Sequence, residues 1–226
     1  MAITQPSAEA LGDYSSEIET AEAAKGNLVP RIAGALRTLA SETAAAFTTA
    51  QAQINVPLGG GILAAGTPMA AWADNAGASA PGVTLANSEA YGIRWNNQGT
   101  QTAVWFGVAM PQDLDDTAPI VLHILASKVG SGTDADDTTF TVTAFFQTVA
   151  ALHDADADCG GASSAMVGTA ATKTVEELTL SIAHGDVPPA PCNLSFSIKP
   201  TDGTLGTDDV VVHALWIEYT RQALAA

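Results

Sequence analysis

The chain alternates between apolar and polar positions through most of its length. Between Thr102 and Met110 the residues Val104, Phe106, Val108 and Met110 share one phase. Thr138–Thr148 repeats the pattern, with Phe140, Val142, Ala144 and Phe146 opposed mainly by threonines. Leu178, Leu180 and Ile182 alternate within Val175–Ala183, and Leu194, Phe196 and Ile198 alternate with Ser195, Ser197 and Lys199. Ile120–Ser127 is an apolar run broken by His123, and Val210–Tyr219 closes the set. A period of two sends successive side chains to opposite faces, so each stretch predicts a strand with one face in a core. Shorter candidates near Met69–Trp72, Val83–Leu85 and Ala90–Trp95 bring the strands to about eight or nine. No helical periodicity intervenes, which disfavours parallel βαβ units. Turn-rich clusters separate the strands instead: GSGTDADD, DADADCGG and PTDGTLGTDD. The expectation is a mainly β chain, an antiparallel two-sheet sandwich of jelly-roll-like rather than immunoglobulin-like topology. The immunoglobulin pattern needs a tryptophan between two cysteines, and none lies between Cys159 and Cys192.

The first quarter reads differently. It is rich in Ala, Glu and Thr, and Ser7 suits the cap of a short helix that Gly26 and Asn27 break. Pro30 stands where a first-turn proline is tolerated, and a second helix is predicted from about Arg31 to about Gln53. Ile32, Leu36, Leu39 and Phe47 form its stripe, continued by Thr43, Ala46 and Ala50. So thin a stripe needs a partner, either the chain's own β domain or the same helix of neighbouring copies. The segment NVPLGGGILAAGT, with Gly59, Gly60 and Gly61 in succession, reads as a hinge. The predicted organisation is an α-helical N-terminal arm over residues 1–55, a Gly-rich linker over 56–67 and the sandwich over 68–226.

Composition narrows the function. Hydrophobic residues make up 47% of the 226 positions and charged residues only 14%, against roughly 25% charged in an ordinary soluble domain. Much of the surface is therefore Ala, Ser, Thr, Gly and Asn, which suits burial against partners. The net charge of −16 repels phosphate backbones and anionic bilayers, so neither nucleic acid nor membrane is expected as a partner. The opening residues lack the basic-then-apolar order of a secretory leader, and no apolar run approaches the ~20 residues that span a bilayer. Synthesis in a cytosol is expected, with Cys159 and Cys192 reduced.

Candidate chemistry is sparse. There is no GxSxG elbow; His123 and His213 lie in apolar strands, and His153 and His184 neighbour Asp154 and Asp186 in turns. Asp154, Asp156 and Asp158 have the opening spacing of a calcium loop, but its sixth position is Cys159 and its twelfth Ala165, where glycine and glutamate belong. Asp134, Asp136 and Asp137 form a second acidic turn, Asp208 and Asp209 a third. The expectation is a non-enzyme with no catalytic residues, cofactor or metal. Four tryptophans remain: Trp72, Trp95, Trp105 and Trp216. Trp105 is out of phase with Val104 and Phe106, and Trp216 with Leu215 and Ile217, so both belong on outer faces. There they serve subunit contact or sugar stacking, and a chain with 6% aromatics favours contact. The predicted interface residues are Leu36, Leu39, Phe47, Trp105 and Trp216.

One stretch is also familiar in kind. GIRWNNQGTQTAVWFGVAMPQDLDDTAPIVLHILASK, then DTTFTVTAFFQTV and GTLGTDDVVVHALWIEYTR, resembles tailed-bacteriophage and prophage virion structural proteins over residues 68–221. In that group a helical segment precedes a jelly-roll-like β domain. The resemblance implies a capsid cement or decoration protein, or a head or tail fibre. It carries the expectation of a homotrimer on the virion whose further partners are the major capsid protein or other virion proteins. The alternative it leaves is a fibre or receptor-binding protein with a glycan-binding sandwich.

Overall fold

The computed structural model divides into two units, Met1–Thr48 and Thr49–Ala226. It describes residues 51–72, 81–86, 90–96, 101–130, 138–149, 158–168, 174–201 and 208–222, all in the second unit. The expected helical arm up to residue 50, with Leu36, Leu39 and Phe47, lies outside the described residues, as do His153, Asp154, Asp156 and the acidic turn at 134–137.

The described chain is mainly strand. β1 spans Gln51–Val56, β2 Ile62–Leu63, β3 Ala70–Trp72, β4 Gly82–Ala86 and β5 Ala90–Trp95. β6 spans Val104–Ala109, β7 Ile120–Val129, β8 Phe140–Thr148 and β9 Gly161–Ala162. β10 spans Val175–Ile182, β11 Cys192–Pro200 and β12 Asp209–Thr220. Two sheets result. The larger, sheet A, runs β10-β7-β12-β5-β4-β3, with β1 also on β12; the smaller, sheet B, runs β2-β6-β11-β8-β9. The pairing is antiparallel save for β3 with β4, which is parallel, a departure from the all-antiparallel expectation. From β10 on, successive strands fall on opposite sheets, so each loop crosses the sandwich.

The predicted phases decide which face goes inward. From sheet B, Val104, Phe106, Phe140, Val142, Phe196 and Ile198 are buried; from sheet A, Ile120, Ile124, Leu178, Val210, Leu215 and Ile217 meet them in one core. Phe106 stacks on Phe196 with ring centroids 5.4 Å apart, and Trp95 meets Phe140 edge-on at 6.0 Å. Such aromatic pairs add to the burial term a preference for one ring geometry.

The open side between the sheets is stitched by the segment around β9. Ser163 takes the Phe140 carbonyl with its N–H and the Phe140 N–H with its hydroxyl, both at 2.9 Å. Ser164 does the same for β10, N–H to Thr179 O at 2.9 Å and Thr179 N–H to its hydroxyl at 3.0 Å. Glu176 accepts from the Val167 and Gly168 N–H groups. The strand edges of β8 and β10 are thereby given partners within the chain, which blunts their tendency to pair with other sheets.

The helix-then-linker reading is corrected between residues 51 and 67. Gln51–Gln53, expected at a helix end, begin β1, and Asn55 and Val56 continue it along β12, register Gln51↔Thr220 to Val56↔Leu215. The segment QAQINV itself alternates, with Val56 buried and the glutamines exposed, and the adjacent free edge of β12 outweighs alanine's helical preference. The triple glycine is not a free hinge either. Leu58–Gly60 form one 3-10 turn with Leu58 buried, and a Cβ on Gly61 would lie 2.6 Å from Val104 Cγ1 and 2.9 Å from Phe106 Cε1. Here glycine permits a close approach of backbone to core. Among the described residues no helix is long and apolar enough to cross a membrane.

Candidate functional site

Among the described residues, each sheet turns one aromatic pair away from the core. On sheet B the outward positions are Trp105, Gly107 and Ala109 of β6; Asn193, Ser195, Ser197 and Lys199 of β11; and Thr141, Thr143, Phe145 and Gln147 of β8. Trp105 lies beside Ser197, and Phe145 lies one row on, beside Ser195, with Gly107 on the far side of Ser195. Their rings meet diagonally over β11 with centroids 6.3 Å apart and planes 11° from parallel. Ser197 beneath them is only 3% exposed, while Ile62 next to Trp105 is 45% exposed. Asn193 donates to Gln147 Oε1 at 2.8 Å. A Cβ on Gly107 would meet nothing within 4 Å, so the surface dips there.

On sheet A the pair is His123 with Trp216, directly opposite each other on β7 and β12, stacked at 4.8 Å and 9°. Val121, Leu125 and Ala214 share the face and are half-buried. The rim is polar: Glu177 accepts from His123 Nδ1 at 2.6 Å, Glu218 stands 4.0 Å from Nε2, and Asn55 pairs with Trp216 across the β1 edge. Among the described residues, His123 Nε2 and Trp216 Nε1 are buried with no hydrogen-bond partner. Buried ring nitrogens without a partner cost free energy, and a contacting molecule that supplies acceptors would relieve it.

The two predicted tryptophans are therefore outward, but on opposite sheets and not on one surface. Trp95, one of the four tryptophans left as candidates, is buried instead: it is 1% exposed, lies inside against Phe140, and donates from Nε1 to Thr102 O at 2.8 Å. The side chain of Trp72 lies outside the described residues. Neither Phe145 nor His123 was expected as a tryptophan's partner. The signal for Phe145 was present, since two adjacent phenylalanines in a strand must place one ring on each face.

Other candidates have structural duties. His213 sits at the irregularity between Val212 and Ala214, joined to Ser127 Oγ at 2.8 Å and to Tyr91 O at 3.3 Å. His184 is exposed in a 3-10 turn with Asp186. Asp158 Oδ1 accepts from the N–H groups of Ala144 and Gly160, both at 2.9 Å, and so fastens the entry to β9. Asp209 pairs with Arg94 across β12 and β5, with Nε at 2.9 Å. Asp113 clasps the end of β12, accepting from Tyr219 Oη at 3.3 Å and from Arg221 Nε at 2.5 Å. Burial, and then the charge and hydrogen bond of Asp113, push the Tyr219 hydroxyl above its ordinary range. The cysteines are unbridged; Cys159 is half-buried, and burial pushes the Cys192 thiol up.

No family model matches the chain, and no curated protein does. Among solved structures, it is similar to the xylan-binding module CBM15, with a TM-score of 0.45 and 16% identity over 77% of this chain and 100% of that one. It is similar also to the Clostridium thermocellum xylanase 10B with CBM22-1 and GH10 modules, at 0.39 and 13% over 80% of this chain and 29% of that one. A mannan-recognising module, TmCBM27, scores 0.32 with 7% identity over 74% of this chain and 88% of that one.

Proposed function

We propose that this chain is a non-enzymatic structural protein of a tailed-bacteriophage virion, a cement or decoration protein that self-associates as a trimer on the shell and stabilises it. The sandwich is of jelly-roll type in this reading, and its further partners are the major capsid protein or other virion proteins. The observation that carries it is the outer face of sheet A. There the His123–Trp216 stack, Val121, Leu125 and Ala214 form an apolar centre rimmed by Glu177, Glu218 and Asn55. A tryptophan-centred apolar patch inside a polar rim is the usual anatomy of a protein contact. The sparse charge of the chain favours wide contact areas, and its net charge of −16 keeps displayed copies dispersed.

The residues before Thr49 serve as the anchor. A chain that starts at Thr49 is expected to fold and to lose its attachment to capsids of the phage or prophage that encodes it. Capsids decorated equally by the shortened and the full chain would overturn the anchor and, with it, the cement reading.

A second reading, a fibre or receptor-binding protein with a glycan-binding sandwich, is favoured by the opposite sheet, where Trp105 and Phe145 stand over polar ground.

A further inference from the structure

We infer that the outer face of sheet B is a binding site for a neutral pyranose glycan, seated in a shallow saucer floored by Gly107 and Ser195. This deepens the second reading above and rests on it, naming the place and the ligand class. The assembly face on sheet A is not involved.

The saucer follows from the register. Outward residues of β6 shrink along the strand, from Trp105 to Gly107 to Ala109, so the wall at Trp105 falls away to an open floor. Gly107, Ser195 and Phe145 form one row across three strands, with the Trp105–Ser197 row on one side and the Ala109–Asn193–Gln147 row on the other. Outward residues two apart on a strand are about 7 Å apart, and strands about 4.8 Å, so the saucer measures about 14 Å by about 10 Å. That holds two or three flat sugar rings. The near-parallel rings of Trp105 and Phe145 present one apolar wall to the C–H face of a pyranose. The opposite wall is an amide pair. Its internal bond uses the Asn193 amino group and Gln147 Oε1, which leaves Asn193 Oδ1 as an acceptor and the Gln147 amino group as a donor for hydroxyls. Ser195 offers a hydroxyl from the floor.

Charge selects the ligand class. Lys199 is the only ionisable residue among the outward positions of β6, β8 and β11, and the chain carries −16 overall. A sulfated or carboxylated glycan meets a repulsive field with little to offset it, while a neutral chain meets none. Equatorial hydroxyls, as in a β-1,4-linked glucan, leave both ring faces rich in C–H groups and match a flat wall best.

The test uses the full chain with cellohexaose, and heparin hexasaccharide as the anionic arm, in isothermal titration. Cellohexaose binds and heparin does not. Trp105→Ala weakens binding at least about tenfold. Gly107→Phe fills the floor and abolishes binding, and because the site is open its melting temperature stays at or above that of the parent. No binding of either glycan by the parent chain overturns both the inference and the glycan reading. Binding that survives both substitutions overturns this site but leaves a glycan-binding sandwich. Preference for heparin overturns the ligand class. A loss of binding accompanied by a lower melting temperature in Gly107→Phe contradicts the open floor on which the argument stands.

Discussion

At the scale of single residues, burial separates tryptophans that composition treats alike. Trp95 fills the core against Phe140 and bonds Thr102, whereas Trp105 lies half-buried on an outer face. Trp95→Ala is expected to cost about 3–5 kcal/mol in denaturant unfolding, and Trp105→Ala less than half as much. Equal losses would contradict the assignment of faces. Two further residues set an alkaline limit. The fold pushes the Tyr219 hydroxyl and the Cys192 thiol above their ordinary titration ranges, so both are held protonated in the native state. Their stabilising contribution is complete below the unfolded-state range of roughly pH 8.5 to 10, and falls away as pH rises through and beyond it. Thermal unfolding is expected to be level up to about pH 8 and then to drop, less steeply in Tyr219→Phe. A melting temperature that rises above pH 9 would exclude this. Much of the residue level was legible: the phase of Trp105 and Trp216 against their neighbours gave their outward direction. What they stack against was not, because Phe145 and His123 come from strands that only the register brings alongside.

At the scale of elements, six strands from Val104 onward fall where alternation puts them, since each has a run of inward Val, Ile, Leu or Phe long enough to fix its phase. β1 was misread. An alanine-rich stretch running into Gln51 continues a helical pattern, and only the partner strand β12 reveals that QAQINV is an edge strand of sheet A. β9 and β2, two residues each, carry too little pattern to be seen. A paired truncation tests the correction. Chains starting at Thr49 and at Ile62 differ by β1 and the Leu58 turn. The first is expected to unfold within a few degrees of the full chain, and the second well below it and with aggregation, because β12 then loses its cover over Leu215–Thr220. Equal melting temperatures would restore the segment to the role of a linker.

At the scale of the whole molecule, the two sheets share a core but present different outer surfaces. Sheet A offers apolar ground around Trp216 and two ring nitrogens that have no hydrogen-bond partner among the described residues; sheet B offers a saucer with hydroxyls and amides. In the proposed reading a particle-bound protein has use for both, one face toward its copies and one toward what the particle meets. Function was the least legible level, since the outer-face residues that carry it, Trp216 and His123 or Trp105 and Phe145, come from different strands. Self-association is the claim on which the structural reading depends, and the mass of the full chain in solution by light scattering tests it most directly. The account predicts three times the chain mass, reduced to that of a single chain by Trp216→Ala with the fold intact. A full-length chain that stays monomeric at concentrations of tens of micromolar would contradict it.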